Sequence, residues 1–183
     1  IRVFERLGFR GFGVLTAVTA QNTSRVTKVF PLPPRLVREQ FETLIEEHKP
    51  SGLKVGMTGS SENVPAVRSI LRRCAGLPRV VDPILKSTSG MSLAGARSAS
   101  KLLASLSGAA ELITPNIEEA GILAGLTIDG PDGMRQAAET LFERTGIPCL
   151  VKGGRRGFKV LDVLYDGRDF HEFRHDRLSK NVH

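Results

Sequence analysis

Short apolar, β-branched segments alternate with amphipathic helical segments along most of the chain, and no other feature restricts its folding as much. Residues 13–20 (GVLTAVTA), 53–57 (LKVGM), 79–85 (RVVDPIL), 111–114 (ELIT) and 147–152 (IPCLVK) read as buried strands. Residues 34–48, 62–74, 93–107, 117–124 and 132–145 carry helical spacing; in 34–48, Leu36, Val37, Gln40, Phe41, Leu44 and Ile45 share one face. Pro34 and Pro65 suit first helical turns, where a missing amide costs nothing. The strand at 79–85 should end at Asp82-Pro83, because proline cannot donate to a central ladder. Asp-Gly-Pro-Asp-Gly at 129–133 reads as a loop between the last two helices. Residues 1–8 read as the end of a helix closed by Gly8, and 160–166 with 169–174 as a hairpin around Asp166-Gly167.

Repeated strand–helix alternation implies right-handed βαβ units: an α/β fold with a mostly parallel central sheet flanked by helices. At 183 residues one domain is expected, spanning 1–183. Ligands of such sheets collect at the carboxyl ends of the strands. Gln21, Met57, Asp82, Asn116 and Lys152 fall there, one after each of the five predicted strands.

Composition narrows the function classes. With 40% hydrophobic and 25% charged residues the chain can build a core, so disorder is excluded. No run of about 18 apolar residues exists, so no membrane-spanning helix is expected. The only cysteines, Cys74 and Cys149, lie far apart in a chain without a secretory pattern. They read as buried, reduced thiols, and the location expected is cytoplasmic. His171 and His175 are four apart in an extended segment, too far for one metal. The net charge of +7 lies in the first half: residues 1–90 hold 14 basic and 7 acidic residues, residues 91–183 hold 12 of each. A solvated basic helix surface accounts for that excess, and 5% aromatics is lean for a base-stacking platform, so no nucleic-acid partner is expected.

Four segments carry chemistry. Asn116 sits at a helix N-cap with Glu119 three residues on, the spacing of a capping box. The same geometry can hold a hydrated Mg²⁺ beside phosphates through Glu119, with Asp82 as the second carboxylate. In Val-Lys-Gly-Gly, Lys152 offers a point charge for a phosphate, while Gly153 and Gly154 permit close backbone approach. The glycines and arginines at 153–157 would make a basic lid. Gln21 offers both a donor and an acceptor to a heterocycle edge, and Met57 can serve as core filler or ring contact.

Seven stretches together resemble the hydroxymethylpyrimidine and phosphomethylpyrimidine kinases of thiamine biosynthesis, members of the ribokinase-like vitamin kinases. They are VLTAVTAQNT (14–23), LKVGMTGS (53–60), VVDPIL (80–85), LITPNIEEAGILAGL (112–126), LVKGG (150–154), DVLYDG (162–167) and SKNVH (179–183). The resemblance implies a three-layer ribokinase-like fold. It implies ATP- and Mg²⁺-dependent phosphorylation of the hydroxymethyl group, then of the phosphate, of an aminopyrimidine. Gln21, Thr19 and Met57 would bind the pyrimidine; Asp82, Asn116, Glu119, Lys152, Gly153 and Gly154 would bind nucleotide and metal. Lys152 would neutralise the transferred phosphoryl group, and family analogy implies a homodimer. Where the family carries a lysine after Asp-Pro this chain has Thr88, with Lys86 two earlier, and Arg155 replaces a histidine. The family continues after the position of His183 with a Gly-Thr-Gly-Cys turn that carries the catalytic base. The segment is therefore expected to lack that turn and the family's first strand with its Gly-rich turn, and to be inactive alone. Two other readings are a pyridoxal-type kinase on the same fold and a non-catalytic ligand- or nucleic-acid-binding domain.

Overall fold

The computed structural model describes residues 1–85, 96–153 and 159–176. In chain order the elements are α1 (Arg2–Arg6), β1 (Ala17–Gln21), β2 (Val26–Pro31), α2 (Pro34–Glu47), β3 (Leu53–Val55), α3 (Val64–Arg73), β4 (Arg79–Val81), α4 (Ala96–Leu106), β5 (Leu112–Ile113), α5 (Ile117–Ala124), α6 (Gly130–Thr145), β6 (Cys149–Val151), β7 (Lys159–Tyr165) and β8 (Phe170–Asp176). Strands β3 to β8 form one sheet in sequential order. The ladders β3–β4, β4–β5 and β5–β6 are parallel; β6–β7 and β7–β8 are antiparallel. Pro34 and Pro65 occupy first helical turns, and Gly8 has a φ of 81°, as their chemistry requires.

Right-handed crossovers between successive neighbours carry α3 to α6 onto one sheet face. Strand alternation agrees. Val81, Ile113, Cys149 and Val151 are fully buried there, against Leu71 of α3, Leu106 of α4, Ala120 of α5 and Leu141 of α6. The other parity, Lys54, Val80, Leu112 and Leu150, is half-buried or exposed. The described helices thus supply one of the two flanking layers expected. A smaller core joins Val37 and Phe41 of α2 to Ile70 of α3 and to Cys74. Both cysteines are buried and unpaired, and burial pushes the Cys149 thiol up to about 12. Buried Arg79 is consumed structurally: it donates to Glu111 Oε1 at 2.5 Å and to the Leu71 carbonyl at 3.0 Å.

Two expectations fail. Residues 13–20 are not a buried strand of the parallel sheet. Ala17–Gln21 instead pairs antiparallel with Val26–Pro31 in a separate two-stranded sheet, and Val18 is 52% exposed. Only residues 22–25 separate the two strands, too few for a parallel crossover. Asn22 Oδ1 accepts the amides of Ser24 and Arg25, both at 2.9 Å, and closes the turn. The Asp-Gly-Pro-Asp-Gly run is also not wholly a loop. α6 begins at Gly130, with Pro131 in its first turn.

Candidate active site

The parallel ladder continues one step past its strands and aligns the polar residues that follow them. The Asp82 amide donates to the Val55 carbonyl at 2.8 Å. The Lys152 amide donates to the Pro115 carbonyl at 2.8 Å, and Asn116 and Lys152 form an isolated parallel bridge. Asp82, Asn116 and Lys152 therefore stand side by side at the carboxyl ends of β4, β5 and β6.

Asp82 lies between two ammonium groups. Lys152 Nζ is 2.8 Å from Oδ1, and Lys54 Nζ is 3.1 Å from Oδ2. Lys54 pairs with Val80, so Asp82, two residues on, shares its sheet face. Beside them the capping box is complete. Asn116 Oδ1 accepts from the Glu119 amide at 2.9 Å, and Glu119 Oε2 accepts from the Asn116 amide at 2.9 Å. The Leu85 amide adds a 3.4 Å contact to Oε1. Glu119 is 4% exposed, and burial pushes its carboxyl above the ordinary value; the Asp82 charge adds to this, while the two amides and Lys152 oppose it. Capping thus fixes the carboxylate beside Asp82 and Lys152.

Gly153 follows Lys152 so closely against β7 that a Cβ there would lie 1.8 Å from the Leu161 carbonyl oxygen. Its amide donates to Asp162 Oδ1 at 2.6 Å. The exit of β6 is thus tied to β5 on one side and β7 on the other.

The pyrimidine candidates sit apart from this cluster. Gln21 ends β1, not a strand of the parallel sheet, so it does not belong to the row of strand-end residues as expected. It lies at a bulge where the register slips between Ala20 and Gln21. Its side chain is exposed and makes no hydrogen bond among the described residues. Thr19 is half-buried on the same strand. Met57 lies two residues past β3 and is joined to the base of the hairpin: Thr16 Oγ1 donates to the Met57 carbonyl at 2.6 Å. Fully buried Asn63 completes the joint through Nδ2, which donates to the Thr16 carbonyl at 3.1 Å and the Thr58 carbonyl at 3.0 Å. Gly59, at a φ of 77°, lets Ala17 and Thr16 approach; a Cβ would lie 2.9 Å from each.

Gly154, the basic lid, Lys86, Thr88, Arg155 and His183 lie outside the described residues. Sequence reasoning missed Lys54, Thr16, Asn63 and Asp162. A lysine interrupting the apolar run of LKVGM was a signal for Lys54; a buried asparagine before a helix has no such mark.

Among the described residues no three His, Cys, Asp or Glu side chains form a metal-holding group. Asp82 and Glu119 do match the habit of Mg²⁺, which takes one or two protein carboxylates and completes its shell with phosphates and water. A parallel sheet that gathers two lysines, two carboxylates and a capped helix at its carboxyl ends has the parts of a small-molecule kinase, where positioning and charge neutralisation supply most of the catalysis. The sequence matches the phosphomethylpyrimidine kinase family over residues 1–183, and the chain belongs to that family. It is 33% identical to the hydroxymethylpyrimidine/phosphomethylpyrimidine kinase of Aquifex aeolicus, over 98% of this chain and 71% of that protein. The solved phosphomethylpyrimidine kinase from Clostridium difficile 630 is similar with a TM-score of 0.82 and 31% identity, covering 94% of this chain and 74% of that one. The pyridoxal kinase from Staphylococcus aureus in complex with AMP-PCP has a TM-score of 0.85 and 26% identity, covering 98% of this chain and 66% of that one. The ribokinase-like expectation therefore holds, and membership makes this a phosphotransferase chain whose family uses ATP and a small-molecule acceptor. No helix among the described residues is long and apolar enough to cross a membrane.

Proposed function

We propose that the protein containing this chain phosphorylates 4-amino-5-hydroxymethyl-2-methylpyrimidine, and then its monophosphate, in thiamine biosynthesis. Residues 1–183 belong to a single kinase domain. The observation that carries this reading is the convergence of Lys152, Asp82 and Glu119 at the ends of three neighbouring strands in a chain of this family. The acceptor oxygen forms a bond to the γ-phosphorus, the bond to the β-phosphate oxygen breaks, and ADP leaves with the electron pair. Lys152 neutralises charge on the transferred group. Gly153 brings a backbone close to the phosphates. Asn116 holds the N-terminus of α5 open to the nucleotide and fixes Glu119. Asp82 and Glu119 would hold Mg²⁺, which when bound offsets the charge of the polyphosphate. Gln21, Thr19 and Met57 face the pyrimidine, and Asn63 with Thr16 keys their hairpin to β3. On the resemblance, the base that takes the acceptor proton belongs to the family's Gly-Thr-Gly-Cys turn. A cytoplasmic homodimer is the place and assembly we assign.

One observation favours a second reading: the similarity to a pyridoxal kinase is as close in fold as that to the pyrimidine kinase. Kinase assays of the full-length protein on the hydroxymethylpyrimidine and on pyridoxal separate the two. A higher kcat/KM for the pyrimidine is expected, and a preference for pyridoxal overturns the substrate assignment. Lys152→Ala should lower kcat by about 10²–10³, the size of one lost charge-stabilising donor. Unchanged turnover would remove Lys152 from the phosphate site.

A further inference from the structure

We infer that Lys54 is a second phosphate-binding cation, and that Asp82 is the counter-ion holding both ammonium groups until polyphosphate arrives. The inference rests on the phosphate-site reading above and deepens it. Asp82 is the pivot of the geometry. Each of its carboxylate oxygens carries one ammonium, at 2.8 Å from Lys152 and 3.1 Å from Lys54, and its side chain is only 15% exposed. The lysines differ in this respect: their side chains are 37% exposed for Lys152 and 47% for Lys54. Both cations therefore reach solvent while their shared anion lies beneath them.

Lys54 has no structural task that explains its charge. It stands mid-strand between Leu53 and Val55, on a sheet face it shares with Val80, Leu112 and Leu150. Among the described residues its only ion pair is with Asp82. A lysine placed there for solubility would extend into water; this one folds along the strand end toward the site. Two ammoniums on one carboxylate leave a net positive charge of one, and ionised Glu119 cancels it. The cluster is thus close to neutral while Asp82 engages both lysines. A phosphate chain must compete with Asp82 for each ammonium, and wherever Asp82 is drawn off, two cations become free together. Two point charges on adjacent strands suit a ligand with successive phosphates better than a single carboxylate does.

The test is calorimetric titration of the full-length protein with inorganic triphosphate in EDTA, which reads anion binding without turnover. Lys54→Ala is expected to weaken binding about tenfold, the size of one charge-assisted hydrogen bond. Lys54→Arg should keep it within about threefold. Asp82→Asn should tighten binding in EDTA several-fold, because the competing charge is gone and an amide of the same size remains. Thermal melts confirm that each variant is folded. If Lys152→Ala weakens binding and Lys54→Ala does not, the inference fails and the phosphate site stands. If neither lysine matters, the reading of the site itself fails. If Asp82→Asn weakens binding in EDTA, Asp82 organises the lysines rather than masking them, and the counter-ion assignment is overturned. Equal losses in Lys54→Ala and Lys54→Arg remove charge as the reason.

Discussion

The strand-end cluster and the β1–β2 hairpin are built from similar sequence by opposite means. The cluster inherits its geometry from a buried ladder: Val81, Ile113 and Val151 are at most 1% exposed, and the residues just beyond them have little choice of position. The hairpin has no such foundation. Val18 and Phe30 face each other across it and are 52% and 60% exposed, and it joins the body through Thr16, Asn63 and the close approach at Gly59. One region is held by burial throughout, the other mostly by hydrogen bonds at its base, with Val26 as its one buried side chain. The difference matches the two tasks proposed. Charge neutralisation needs fixed groups, whereas an arm that meets a substrate ring needs to be aimed and can tolerate exposure.

Three variants would break or sharpen that contrast. The largest effect is expected at Glu119. Glu119→Gln keeps an acceptor for the Asn116 amide, so the cap survives, while the charge proposed to face metal and phosphate is lost. Turnover should fall about 10²-fold with an altered Mg²⁺ dependence, and the melting temperature at neutral pH should hold or rise. The sign follows from burial. The folded carboxyl titrates above 4.5, so its ionised form opposes folding at higher pH, and that penalty disappears as pH falls below 4.5. Wild type should therefore gain on Glu119→Gln as the medium is acidified; a melting series that shows the reverse contradicts the assignment.

Asn63→Ala comes next. It removes both Nδ2 hydrogen bonds of the joint and leaves the Thr16 Oγ1–Met57 bond, and a loss of about 1–3 kcal/mol in urea unfolding is expected. Asn63 Oδ1 has no partner among the described residues, which draws the figure toward the lower end. KM for the pyrimidine should rise while KM for ATP changes little. An equal rise in both would mean that the hairpin is not an independent arm. Gln21→Ala is the mildest. Stability should stay within about 0.5 kcal/mol, as for an exposed side chain with no partner. KM for the pyrimidine should rise about tenfold at unchanged KM for ATP, the cost of one good hydrogen bond to a ring edge. Unchanged kinetics would take Gln21 out of the site.

Much of this was legible before any coordinates. Pro34, Pro65 and Asp82-Pro83 mark boundaries because proline has no amide to give, and the Asn116–Glu119 spacing announces a cap because the cap is local. The strand ends Asp82, Asn116 and Lys152 follow from the alternation of elements. Asp162 and Asn63 were not legible, because their partners Gly153 and Thr16 lie 9 and 47 residues away and no spacing rule connects them.

The sequence by itself determined the α/β order, the α5 cap and the polar residue after each strand from β4 to β6, since these depend on periodicity and on neighbours within a turn. Only the tertiary structure decided that 17–21 turns back on 26–31 rather than entering the sheet, and that Lys54 shares Asp82 with Lys152. Apolar β-branched runs satisfy a hairpin and a sheet core equally well locally. Which one forms depends on the length of the next connection and on what is present to bury the run, and ion pairs across 28 and 70 residues depend on strand register, which no local pattern encodes.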